Sequence, residues 1–119
     1  MIGPVYQPKA VSAVLGPAHS PNIPDTLWGA WIDSGLTVLG MTGASHEHSE
    51  FSENASGVEN AVIIDGGDLP AGTIAYFGLT DSASGGEVVV YATVDLTGLS
   101  AGDPVAFPIG ALTFPYTEA

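Results

Sequence analysis

Short apolar runs broken by glycine, proline, aspartate and serine set the rhythm of this chain. Between the breaks, no stretch holds a 3.6-residue apolar period long enough for a typical helix. Runs rich in β-branched and aromatic residues predict strands at LWGAWI (27–32), LTVLGM (36–41), NAVIID (60–65), TIAYFGL (73–79), GEVVVYATVD (86–95), PVAFPI (104–109) and ALTFPY (111–116). This spacing predicts an all-β fold, a single antiparallel β-sandwich or jelly-roll-like domain over residues 27–119. IDSGL (32–36) and DSASGG (81–86) predict hairpin connections, and DGGDLPAG (65–72) a broader turn. The polar stretch 42–59 predicts a long loop. Residues 1–26 are proline-rich and weakly patterned, which predicts an extended N-terminal arm.

Several of these strands are apolar on both faces. In GEVVVYATVD, strict alternation places Val88, Val90, Ala92 and Val94 on one side and Val89, Tyr91 and Thr93 on the other. IAYFGL sets Ile74 and Tyr76 against Ala75, Phe77 and Leu79, and AVII is apolar throughout. An antiparallel sheet with one wet face alternates apolar and polar residues instead. The expectation is therefore that a second layer covers the outer face: the arm, a neighbouring subunit or a larger partner.

Charge narrows the partners. Thirteen Asp and Glu face one basic side chain, Lys9, for a formal net charge of −12 in 119 residues. Nucleic-acid binding relies on Lys and Arg displacing counterions from phosphates, so no nucleic acid is expected as partner. Anionic membrane surfaces are disfavoured for the same reason, and no apolar run reaches the ~18 residues of a spanning helix. The carboxylates either keep an apolar protein soluble or select a cationic partner. Cysteine is absent, which removes disulfides, thiolate metal sites and cysteine nucleophiles. MIGPVYQPKAVSAVLGP lacks a basic leader and is broken by Pro4, Pro8 and Pro17, so it does not read as a signal peptide.

Candidate chemistry is sparse. In HEHSE, His46 and His48 stand two apart and could offer imidazole nitrogens to a metal. Gly40, His46, His48 and Glu53 fit part of the first cupin motif, and Gly102, Pro108 and Gly110 fit part of the second. The closing glycine of the first motif falls on Asn60 and the second-motif histidine on Thr113, which leaves the ligand set incomplete. A solvated histidine pair on a loop is the preferred reading, with a cupin-like metal enzyme as a distant alternative. Asp65 and Asp68 flank two glycines, and turn formation explains them better than acid–base chemistry. Trp28 and Trp31 fall on opposite strand faces, so at least one belongs to the core. No catalytic residue, cofactor or metal is expected.

Residues 72–114 carry Gly72-Thr73, Phe77-Gly78-Leu79, Asp81, Gly85-Gly86, Tyr91, Ala101-Gly102-Asp103, Pro108 and Gly110-Ala111-Leu112-Thr113. This stretch resembles the C-terminal half of a family of small structural proteins from tailed-bacteriophage virions, labelled variously as tail fibre, minor tail or head-decoration proteins. Pro70-Ala71 stands where the family often has a tryptophan before Gly-Thr. The resemblance implies a non-enzymatic all-β virion component. A fibre needs a shaft of heptads or stacked repeats, and this chain has neither. The expectation is thus a capsid decoration (cement) protein on the head exterior, assembled in the host bacterial cytoplasm, with a tail-associated or glycan-binding fibre-tip role as the alternative. Its partners would be the major capsid protein (or tail proteins) and symmetry mates, in a homo-oligomer such as a trimer. The expected contact residues are Ile2, Val5, Tyr6 and Lys9 of the arm, with Val89 and Tyr91 of the two-faced strand.

Overall fold

The computed structural model describes Leu15 and residues 23–54, 57–84 and 86–115. Its strands are β1 (Thr26–Ile32), β2 (Val38–Glu47), β3 (Phe51–Glu53), β4 (Gly57–Asn60), β5 (Ile64–Asp68), β6 (Tyr76–Thr80), β7 (Val88–Thr93), β8 (Pro104–Phe107) and β9 (Thr113–Pro115). A four-stranded sheet runs β2-β1-β6-β7, a three-stranded one β3-β4-β9, and a two-stranded one β5-β8. Every pairing is antiparallel. The all-β antiparallel architecture expected from the punctuated apolar runs is the one observed.

One core lies between the four-stranded sheet and the two smaller ones. Trp31 and Phe77 of the large sheet meet Phe107 of β8 in a triangle of rings with centroids 4.9, 5.9 and 5.0 Å apart. Phe51 and Phe114 meet edge-on at 6.2 Å across the three-stranded sheet. Such offset contacts add to the burial of large apolar surfaces. Leu15 and Ile23 are buried in this core. Of the expected arm over 1–26, Leu15 and residues 23–26 lie within the described residues, and Leu15 and Ile23 pack inward.

The hairpins fall where turn chemistry predicts, with one surprise. In the β1–β2 turn, Asp33 Oδ1 accepts from the amides of Gly35 and Thr37 at 2.9 Å each, but the left-handed φ of 64° falls on Leu36, not Gly35. In the β6–β7 turn, Asp81 Oδ1 accepts the Glu87 amide at 2.8 Å and Gly86 takes a φ of 37°.

Three expectations are corrected. The stretch 42–59 is not a long loop: it completes β2, makes a single 3-10 turn over His48–Glu50, and forms β3 and most of β4. Pairing with β1 (Trp28 with Ser45, Leu27 with His46) imposes extended structure on residues that lack intrinsic strand character. DGGD is not a turn but the body of β5, with a bulge between Asp65 and Gly67. NAVIID is not one strand: it breaks at residues 61–63 between β4 and β5.

The parity of β7 is also changed. Thr80 pairs with Val88 and Leu79 with Val90, so Val89 is an extra residue opposite the β6 step. That one-residue bulge moves Val88 to the face of Tyr91 and leaves both Val89 and Val90 in the main core. The outer face of the large sheet then carries a small cluster of its own: Ala30, Ile32 and Val88, flanked by Leu36, Val38, Met41, Tyr76 and Tyr91. Most of VVVYA is therefore buried without a partner molecule: Val88 is 6% exposed, and Val89 and Val90 have no exposed surface.

Candidate partner interface

Among the described residues, the most exposed large aliphatic side chains lie elsewhere. Ile63 is 68% exposed, Ile109 67%, Leu99 42% and Val62 38%. Ile64 pairs with Phe107 at the end of the β5-β8 ribbon, and Ile63 precedes this pair in one loop while Pro108 and Ile109 follow it in the other. AVII thus divides: Ile64 is buried in the core while Val62 and Ile63 project from a knuckle at the end of the β5-β8 ribbon.

Asn60 holds this knuckle together. Its side chain is fully buried and its Nδ2 donates to the carbonyls of Val62 (2.8 Å), Pro108 (2.9 Å) and Phe107 (3.3 Å). Its Oδ1 accepts the Leu112 amide at 2.9 Å. Its backbone adds bonds to the same loop, Asn60 N–H to Leu112 O at 3.2 Å and Gly110 N–H to Asn60 O at 2.9 Å. Ala61 N–H also donates to Glu50 O at 2.7 Å. One amide side chain satisfies backbone groups on both loops, which fixes two exposed isoleucines on a stiff base.

The rim is acidic. The Glu59 carboxylate sits over Gly110, where a β-carbon would lie 2.6 Å from Oε2. Glu59 Oε1 accepts from Asn54 Nδ2. Asp65 lies two residues beyond Ile63 on the same, outward side of β5 and is exposed. Lys9, the chain's one basic residue of the Lys/Arg type, lies outside the described residues.

The histidines of HEHSE are not a solvated loop pair. His48 is 4% exposed, and its Nδ1 and Nε2 lie 3.1 and 2.7 Å from the carbonyls of Leu15 and Pro24. His46 is 5% exposed, its Nδ1 is 3.2 Å from Glu50 Oε1, and its Nε2 is buried with no hydrogen-bond partner. Glu50 Oε2 meanwhile accepts the Glu47 amide at 2.6 Å. Both ring nitrogens of His48 thus face backbone carbonyls, and Glu53 stands exposed on β3. Among the described residues no group of three or more His, Asp or Glu is placed to hold a metal ion.

Of the expected contact residues, Ile2, Val5, Tyr6 and Lys9 lie outside the described residues. Val89 is a core residue, which corrects its place on a binding face. Tyr91 is partly exposed and packs on Tyr76 with ring centroids 4.8 Å apart. Trp31 is the core tryptophan and Trp28 stands partly exposed on the outer face. The Ile63–Ile109 knuckle was hidden from sequence reasoning because NAVIID looked like a single strand. The available signal was Pro108-Ile109-Gly110, an apolar residue inside turn chemistry.

Fold and surface together define a compact antiparallel β module with a rigid apolar knuckle and an acidic rim. No family model, curated protein or solved structure matches this chain.

Proposed function

We propose that this protein is a structural component of a tailed-bacteriophage particle, in its most concrete form a decoration protein bound to the outer surface of the head. The single observation that carries the reading is the pair of exposed isoleucines held on a stiff base, a surface suited to docking. The resemblance of residues 72–114 to small virion proteins supplies the class of particle. Full burial of one isoleucine side chain is worth about 1.5–3 kcal/mol before the costs of association. Modest contacts of this size hold firmly when many copies bind a closed shell. The function is then mechanical: each copy bridges neighbouring shell subunits and raises the cost of pulling them apart.

A tail-tip reading has one observation in its favour, the partly exposed aromatic face of Trp28, Tyr76 and Tyr91, which could stack on a sugar. The test is direct. Particles of the virus that encodes this chain are purified, separated into heads and tails, and probed for it by mass spectrometry. Presence on heads, with lower thermal stability of heads lacking it, supports decoration. Presence on tails alone selects the second reading, and absence from both overturns the proposal.

A further inference from the structure

The knuckle has a chemistry that selects its partner. We propose that Val62, Ile63, Pro108 and Ile109 form a preformed docking knob for an apolar socket rimmed by lysine or arginine on a different protein, not on a second copy of this chain. The inference rests on the virion reading for its biological setting and on the knuckle alone for its content.

Three observations meet here. The apolar side chains are exposed, and the Ile64–Phe107 pairing with the Asn60 bonds to the Val62 and Pro108 carbonyls holds the two loops that bear them together. Asn60 cross-links both loops through the carbonyls of Val62, Phe107 and Pro108 and the amide of Leu112. Little backbone freedom is then left to lose on binding, which favours affinity through preorganisation. Finally, the rim is of one sign: Glu59 lies over Gly110 and Asp65 shares the outward side of Ile63. The chain carries thirteen acidic residues against one lysine. Two copies meeting knob to knob would bring these like-charged rims together, whereas a basic rim on the partner complements them and speeds encounter.

The test uses the full chain with labelled isoleucine methyl groups, observed by NMR during titration with three synthetic peptides. One alternates leucine and lysine, one has serine in place of leucine, and one has glutamate in place of lysine. The expected result is a saturable shift of the Ile63 and Ile109 methyls with the leucine–lysine peptide only. Raising salt from about 0.05 to about 0.3 M should weaken it several-fold, because the rim charges are exposed and screened. The I63S/I109S variant, whose fold is checked by its unchanged far-UV dichroism, should lose binding by about tenfold or more. Shifts confined to other methyls, no shift, or an equal response to the serine–lysine peptide overturns the inference. So does dilution-sensitive movement of the same two methyls in the free chain, which would mean self-association.

A second arm separates this inference from the virion reading. Heads lacking the chain are incubated with wild-type protein and with I63S/I109S. Binding of wild type alone supports both, and equal binding of the two removes the knob while leaving the particle role. A peptide response at the knuckle without any binding to heads or tails removes the particle role and keeps the knob.

Discussion

Trp31 donates its indole Nε1–H to the carbonyl of Gly66 at 2.8 Å, and the same ring occupies the space a side chain at Gly66 would need. A β-carbon there would sit 2.8 Å from Trp31 Cζ2 and 3.2 Å from the Val105 carbonyl oxygen. The four-stranded sheet is thereby bonded to the β5-β8 ribbon that bears the knuckle. Gly66→Ala should destabilise the protein by about 1–3 kcal/mol through overpacking. Trp31→Phe should cost a similar amount, about 1–3 kcal/mol, by leaving a buried carbonyl unpaired. Because the residues touch, the double variant should cost less than the sum, and urea denaturation of the three variants measures this.

Asn60 offers a sharper effect. Asn60→Ala leaves the Leu112 amide and the carbonyls it served without their side-chain partner, in a fully buried position. A loss of about 2–3 kcal/mol is expected. Amide hydrogen exchange should accelerate first at residues 61–63 and 109–112, and uniform acceleration across the chain would contradict a local stapling role.

Leu36 holds a left-handed φ of 64° in the β1–β2 turn while its side chain packs on the outer cluster. Leu36→Ala and Leu36→Gly both remove that packing, but only glycine relieves the backbone. The glycine variant should therefore be the more stable of the two by about 1 kcal/mol, as read from thermal melts.

Asp95 supplies a pH prediction. Its carboxylate accepts from the Thr97 hydroxyl and, at 3.0 Å, from the Thr97 amide, and these bonds hold its pKa below the ordinary aspartate value. A depressed folded pKa means the contribution is present above the unfolded value and is lost as pH falls through the folded one. NMR titration should find Asp95 ionising below the usual aspartate range, and Thr97→Ala should raise its midpoint.

The sequence alone determined the fold class, the hairpins at Asp33 and Asp81, and Trp28 and Trp31 on opposite faces, because strand parity and turn chemistry are local properties. It also determined the acidity that shapes the docking proposal. Tertiary structure decided the rest. Pairing with β1 made strand of the polar residues before His46, and one bulge at Val89 moved Val88 to the outer cluster and took Val89 into the core, so that both are buried. Asn60, a polar residue at the end of a short strand, became the staple of the knuckle because carbonyls from residues 62, 107 and 108 converge on it. Such outcomes depend on contacts between residues far apart in the chain, whose energies exceed the local preferences from which a sequence is read.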